Sequence, residues 1–199
     1  MKKFELTDET IIHNGRILHR IKALKNFGDI QSGKLGGYVE KEDNLSQSGD
    51  AWLYDDAKVY GNTMVYDNAR VLGNAEVNGN ARVNGNARVY GNAWVYGNAI
   101  VSGNAEVNGN TKVNGNAKVN GNARVSGNAD YTTIKGFETK YRDTTFFRTK
   151  DNKICVVCGC FSGTIEEFRK QVKRTRSGKI AKEYLAIADL MELHFKKIK

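Results

Sequence analysis

The sequence predicts a mainly β protein built around a parallel β-helix, with a small β cap before it and an α+β domain after it. An aliphatic residue recurs at every sixth position from Leu53 to Val125, thirteen times without interruption. The segment 51–130 also holds 17 of the 21 asparagines and 11 of the 21 glycines. The 199 residues contain no proline, although average usage would give roughly ten. These observations divide the chain into segments 1–50, 51–130 and 131–199.

The repeating unit of the middle segment reads Ala-x-Val-x-Gly-Asn. Its alternation of inward and outward residues has the period of a half-buried strand, and Gly-Asn tolerates the backbone of a sharp corner. In hexapeptide β-helices three such units, about 18 residues, close one coil. The segment therefore predicts about four and a half coils in a rod roughly 21 Å long. Each strand donates N–H groups to the next coil, which excludes proline.

Positions one coil apart fall into columns, so the outward residues sort into three faces. The first face combines Trp52, Arg70, Arg88, Glu106 and Arg124 with Tyr54, Leu72, Tyr90, Asn108 and Ser126. The second face combines Lys58, Glu76, Trp94, Lys112 and Asp130 with Tyr60, Asn78, Tyr96 and Asn114. The third face combines Met64, Arg82, Ile100 and Lys118 with Tyr66, Asn84, Ser102 and Asn120. Corner asparagines also recur in columns, which predicts hydrogen-bonded ladders such as Asn80, Asn98 and Asn116.

Outward aromatic and large apolar residues concentrate in the early coils. Such a surface is typical of one that is covered by the flanking segments, by a second subunit or by a partner. We therefore predict binding of a protein partner, or self-association, through the early coils. The residues that we assign to partner binding are Trp52, Tyr54, Arg70, Arg88, Tyr90 and Trp94.

The flanking segments predict small structured caps. Asn14-Gly15 is a favoured hairpin turn between apolar runs, and we expect segment 1–50 to cover the open end of the rod. In segment 131–199 we predict three strands, at 131–136, 144–149 and 154–160. A capping box at 164–167 opens a first helix, and a second helix carries Ile180, Tyr184, Ile187, Met191 and Phe195 on one face.

The C-terminal segment carries most of the excess positive charge, with 16 of the 31 Lys and Arg residues in a chain of net charge +9. Basic groups at the end of a helix suit its macrodipole. Their number also suggests an alternative function, in which the basic C-terminal helices bind nucleic acid or another polyanion, or a host-defence complex. The residues assigned to this alternative are Arg169, Lys170, Lys173, Arg174 and Arg176.

The pattern of titratable residues does not predict a catalytic site. The three histidines, His13, His19 and His194, all lie outside the repeat. Cys155, Cys158 and Cys160 are interpreted as core thiols, because alternation along a strand would place them on opposite faces. We therefore assign no catalytic residue, no metal and no cofactor.

No stretch approaches the roughly 18 apolar residues of a membrane helix, and residues 1–10 lack a signal sequence, so we expect a cytoplasmic protein that does not enter the membrane.

The repeat resembles that of the bacterial hexapeptide-repeat superfamily, which implies left-handed winding. With Leu35–Lys41, Asn44–Ser46 and Cys158–Phe168, the whole chain resembles phage and prophage hexapeptide-repeat proteins of unknown function. The resemblance implies this architecture and a mobile-element context. Because the repeat offers only isolated titratable groups, we predict a non-enzymatic binding or scaffold protein. Acyltransferases of the same superfamily leave an enzymatic function as a further alternative, although those enzymes use a histidine base on or beside the coils.

Overall fold

The computed structural model describes residues 2–137 and 142–196, and its centre is a parallel β-solenoid of about five turns. Thirteen two-residue strands follow one another at six-residue intervals, as predicted: β4 (Trp52–Leu53), β5 (Lys58–Val59), β6 (Met64–Val65), β7 (Arg70–Val71), β8 (Glu76–Val77), β9 (Arg82–Val83), β10 (Arg88–Val89), β11 (Trp94–Val95), β12 (Ile100–Val101), β13 (Glu106–Val107), β14 (Lys112–Val113), β15 (Lys118–Val119) and β16 (Arg124–Val125). Strands three apart pair in parallel, giving the ladders β4-β7-β10-β13-β16, β5-β8-β11-β14 and β6-β9-β12-β15. These ladders are the first, second and third faces.

The inside of the rod is a stack of small aliphatic side chains. The valines and alanines of the hexads are fully buried, and Thr63 and Thr111 take alanine positions. Backbone N–H groups donate to the next coil, as Lys58 N does to Ala75 O at 3.0 Å and Arg88 N to Ala105 O at 2.9 Å. Every coil thus supplies the hydrogen-bond partners of its neighbour, and the coils are mutually dependent.

The corners carry the predicted asparagine ladder. Asn80 Nδ2 donates to Asn98 Oδ1 at 3.1 Å, and Asn98 Nδ2 donates to Asn116 Oδ1 at 3.0 Å. The other two corners have equivalent ladders, Asn68-Asn86-Asn104-Asn122 and Asn74-Asn92-Asn110. Glycine occupies the positive-φ position of most hexads, and Asp55 and Asp67 take it in two. At Gly97, φ is +72° and an added Cβ would lie 3.0 Å from Gly115 N, which favours glycine there.

The N-terminal segment extends the second face and closes one end of the rod. It contains β1 (Phe4–His13), β2 (Arg16–Ala23), β3 (Leu35–Val39) and a 3-10 helix at Glu42–Asn44. The antiparallel hairpin β1-β2 continues through β3 into β5, with Val39 opposite Val59. Leu45 bridges Val65 in parallel. The parallel ladder therefore begins before residue 50, because Val39 and Leu45 already have the six-residue spacing.

Lys3 fills the N-terminal end of the rod, where the first coil leaves carbonyl groups unpaired by the ladder. Its side chain is 1% exposed, and Nζ donates to Ala51 O at 2.9 Å and Gly49 O at 3.4 Å. The ammonium lies 5.1 Å from the centroid of the Phe27 ring. Burial lowers the pKa of Lys3 to about 8, against the opposing charge of Asp50.

The C-terminal segment forms an antiparallel sheet covered by two helices. Its elements are a 3-10 helix (Asn128–Asp130), β17 (Tyr131–Phe137), β18 (Arg142–Arg148), β19 (Ile154–Cys158), β20 (Phe161–Thr164), α1 (Ile165–Thr175) and α2 (Gly178–His194). The prediction of three strands is wrong, because β19 ends at Cys158 and a fourth strand, β20, pairs with it. Gly159, with φ +60°, makes a turn within the stretch that the apolar pattern predicts as continuous strand.

The C-terminal sheet closes the other end of the rod. Phe147 and Val157 join the core of the solenoid, whereas Phe146 and Val156 face the helices. Thr145 Oγ1 accepts a hydrogen bond from Lys118 N at 3.1 Å, which satisfies a donor of the last coil. Neither helix in the described part of the chain has the length and hydropathy needed to cross a bilayer.

Candidate partner-binding face

Strand pairing places most of the predicted partner-binding residues in one row on the first face. Arg70 lies between Trp52 and Arg88, and Arg88 lies between Arg70 and Glu106. Trp94 lies on the second face, opposite Glu76 and Lys112. The columns derived from the repeat are thus confirmed as neighbours in the ladders.

Trp52 is inaccessible to an external partner, so its assignment to partner binding is wrong. The side chain is 0% exposed and packs against Phe4 and Phe27, at ring-centroid distances of 6.4 and 5.4 Å. The N-terminal cap covers the first coil on this face. Trp52 therefore joins the cap to the rod, in agreement with the expectation that a flanking segment covers the early coils.

Tyr54 and Arg70 are held by Asp29, which lies between β2 and β3. Tyr54 donates its hydroxyl proton to Asp29 Oδ1 at 3.0 Å, and Arg70 Nη2 lies 3.0 Å from the same oxygen. Burial, followed by the hydrogen bond to Asp29, raises the pKa of Tyr54 to about 12. Partial desolvation raises the pKa of Asp29, but the Tyr54 hydrogen bond and the Arg70 charge bring it below its usual value. These two residues fasten the cap to the first face.

Arg88 is exposed on this face, as is Arg124, which pairs with Glu106. No hydrogen bond or ion pair of the Arg88 side chain is found among the described residues. Its neighbour Glu106 pairs instead with Lys150 at 2.8 Å and Arg124 at 3.4 Å. The hydrogen bond from Lys150 is the main cause of the lowered pKa of Glu106. Arg88 therefore presents an uncompensated positive charge.

Tyr90 and Trp94 are half-buried beside neighbouring coils. Tyr90 accepts a hydrogen bond from Asn108 Nδ2 at 3.0 Å, so its hydroxyl is tied to the next coil. Trp94 stacks edge-on against Tyr96 at 6.0 Å, and Lys112 Nζ lies 5.3 Å from the Trp94 ring. Tyr90 lies two residues after Arg88 on the first face, whereas Trp94 belongs to a different surface.

The basic residues of α1 fall into two groups. Arg169 is paired with Asp189 at 2.5 Å and Glu192 at 2.8 Å, both on α2. Arg174 donates to Gln171 Oε1 at 2.7 Å, and Arg176 donates to Thr175 O at 3.1 Å. Lys170, Lys173 and Arg174 are exposed. Arg169 is thus neutralised by the acids of α2, whereas three of the five residues assigned to nucleic-acid binding remain exposed.

The cysteines occupy three different environments. Cys158 is buried and accepts a hydrogen bond from Thr144 Oγ1 at 3.1 Å. Cys155 is half-buried, and this burial raises the pKa of its thiol. Cys160 is exposed in the turn after β19, so its assignment as a core thiol is wrong. Within residues 2–137 and 142–196, no cluster of three His, Cys, Asp or Glu side chains has a geometry suited to a metal ion.

Two features are not predicted by the sequence pattern. His13, at the hairpin tip, lies 3.1 Å from Glu76 and 5.6 Å from the Tyr60 ring centroid, so it docks the hairpin on the second face.

Met64 on the third face is 51% exposed. The column Met64, Arg82, Ile100 and Lys118 contains two cations and no acid, and this pattern indicates a second binding surface.

A family model described as "YdcK Beta solenoid repeat" matches residues 87–103. The matched stretch is about one coil and contains Arg88, Tyr90 and Trp94. The comparison with curated proteins found no match. The family match supports a β-solenoid repeat protein, in agreement with the structure, and concerns the repeat alone.

Proposed function

We propose that the chain is a non-enzymatic binding or scaffold protein, whose first face holds an acidic macromolecular partner. The observation that carries the proposal is the exposed Arg88, which has no counter-ion among the described residues and stands on a rigid ladder. A guanidinium in this state favours carboxylate groups, which it binds with two parallel hydrogen bonds. The phage or prophage context is a part of the proposal that rests on the sequence resemblance, and a cytoplasmic location is proposed from the residue pattern of the sequence.

Rigidity supports a binding role for this face. Arg88 and Tyr90 flank the fully buried Val89, and their backbone N–H groups donate to Ala105 and Val107 of the next coil at 2.9 Å. Such a backbone loses little conformational freedom on binding, which reduces the free-energy cost of association. The opposite charges on this face lie in separate structural pairs, Asp29 with Arg70 and Glu106 with Arg124. This pattern suits a recognition surface better than the convergent titratable groups of a catalytic site.

Nucleic-acid binding through α1 is the alternative function. It now depends on Lys170, Lys173 and Arg174, which are exposed and make no ion pair among the described residues. Three cations on one helix supply a short electrostatic patch, and affinity for a phosphate backbone grows with the number of cations that contact it. We therefore place this function second.

Affinity purification of tagged protein from its source cells, with quantitative mass spectrometry and with and without nuclease, tests the proposal. We expect Arg88→Glu to reduce recovery of a specific partner by about tenfold or more, and the matched charge reversal Lys173→Glu to leave it unchanged. If Arg88→Glu leaves every partner at the wild-type level, the proposal is wrong. If nuclease and Lys173→Glu both abolish recovery, the nucleic-acid function replaces it.

A further inference from the structure

We propose that the third face is a second docking surface, for a protein segment that carries an apolar side chain beside acidic ones. The surface is independent of the first face and of the partner proposed for it. Its residues are Met64, Tyr66, Arg82, Ile100 and Lys118, on or beside β6, β9, β12 and β15.

The ladder places apolar and basic side chains in alternation along the rod. Arg82 lies opposite Met64 on one side and Ile100 on the other, and Ile100 also lies opposite Lys118. Successive coils are about 4.8 Å apart, so the two cations are roughly 10 Å apart with an aliphatic side chain between them. Met64 is 51% exposed, Arg82 and Lys118 are exposed, and Ile100 is half-buried.

Positive charge on this face has no counter-charge. The eight outward residues of the third face include no acid, whereas Glu106 and Glu76 stand in the ladders of the first and second faces. In the described part of the chain, no ion pair or hydrogen bond of the Arg82 or Lys118 side chain is found. Electrostatic complementarity therefore calls for an acidic partner.

A groove at the N-terminal end of the third face offers a place for the apolar side chain. The groove has a volume of about 640 Å³ and runs between the 3-10 helix at Glu42–Asn44 and β6. Leu45, Met64 and Tyr66 line it, together with the charged residues Lys41, Glu42 and Asp43, so this end of the face suits the apolar side chain of the partner and not its acids. An apolar anchor in this groove would direct the next residues of the partner over Arg82.

The same charges argue against other occupants. A contact that stacks the β6-β9-β12-β15 ladders of two copies would bury four cations, Arg82 and Lys118 of each copy, against no acid of either ladder, which is unfavourable. A phosphate backbone would be held by cations about 10 Å apart and would cover Ile100 and exposed Met64, which it cannot use. An acidic peptide with an apolar residue satisfies both kinds of side chain.

Selection from a random peptide library displayed on phage tests this inference, because it requires no identified partner. With wild-type protein as bait, we expect enriched peptides to share an apolar residue within four positions of Asp or Glu. Their affinity should fall about tenfold or more in Arg82→Glu and in Met64→Asp, rise at low salt, and remain unchanged in Arg88→Glu. Equal melting temperatures serve as the folding control, and the milder Arg82→Gln replaces any variant that fails it.

Three outcomes would overturn the inference. The first is the absence of enrichment, or enriched peptides without acidic residues. The second is equal binding of the peptides to Arg82→Glu and wild type. The third is a wild-type dimer in light scattering that Met64→Asp dissociates, since the occupant would then be a second copy. Because Arg88→Glu leaves this surface intact, each of these results is separable from failure of the first-face proposal.

Discussion

Lys3 places an amino group inside the N-terminal end of the rod. Its Nζ replaces the N–H donors that a preceding coil would have supplied to Ala51 O and Gly49 O. Burial disfavours the ammonium form, the charge of Asp50 opposes this in part, and the pKa of Lys3 is lowered to about 8. The sequence carries no signal for this interaction, because Lys3 and Ala51 are far apart in the chain and no repeat relates them.

The free energy of unfolding should therefore rise with pH above about 8. Between the folded pKa near 8 and the unfolded value near 10.4, the unfolded chain binds more protons at this site, so raising the pH favours the folded state. We expect a gain of about 1.5 kcal/mol between pH 8 and 9.5. Urea denaturation of wild type and Lys3→Met at pH 7.5, 8.5 and 9.5 measures it.

The comparison with Lys3→Met removes the contributions of other groups that titrate in this range, including Cys155, whose pKa burial raises. We expect the free energy of unfolding of wild type, relative to that of Lys3→Met, to rise as the pH is raised above about 8. A difference that stays constant from pH 7.5 to 9.5 would contradict the account of Lys3.

Trp52 and Arg88 show what the residue pattern predicts and what it omits. They occupy the same position of the hexad two coils apart, and both point outward from the rod. Periodicity determines the direction of a side chain, whereas its exposure depends on which other segment lies above it. The cap covers Trp52 and leaves Arg88 exposed, a distinction that requires tertiary structure.

At the scale of elements, α1 begins where the sequence predicts. Thr164 Oγ1 accepts from Glu167 N at 3.3 Å, and Thr164 N donates to Glu167 Oε2 at 2.8 Å, which confirms the capping box. The density of basic residues on α1 suggests a polyanion site in the sequence. Arg169 has a different role, because it braces α1 against the acids of α2. That pairing depends on how two helices pack and has no local signal.

Replacement of Arg169 should therefore affect stability, whereas replacement of Lys173 should not. We expect Arg169→Ala to lose about 1 kcal/mol, since its partners Asp189 and Glu192 are largely exposed. This corresponds to a fall of about 2–4 °C in melting temperature. Lys173→Ala should melt within about 1 °C of wild type. Differential scanning calorimetry compares them, and equal melting temperatures would contradict the bracing role.

At the scale of the whole molecule, the solenoid and its two caps share one core. Ile21 of the hairpin and Phe147 of the C-terminal sheet belong to the same cluster of buried residues as the valine stack. The solenoid is predictable strand by strand because its period is strict. The additional turn at the N-terminal end, which contains Val39 and Leu45, is not predictable from the period. Leu45 and Leu53 are eight residues apart, which breaks the six-residue spacing at the first corner. The fourth strand of the C-terminal sheet is not predicted, because Gly159 turns the chain within an apolar run that reads as one continuous strand.

Thermal denaturation of a matched pair, Val83→Asp and Arg82→Asp, tests most directly the claim that inward residues build the rod and outward residues form its binding surfaces. Val83 is 0% exposed, and a carboxylate in its place would lose hydration without a counter-ion, at a cost of several kcal/mol. We predict that Val83→Asp lowers the melting temperature by about 10 °C or more or prevents folding. Arg82→Asp should stay within about 2 °C of wild type. A wild-type melting temperature for Val83→Asp, or equal losses for both variants, would contradict the account.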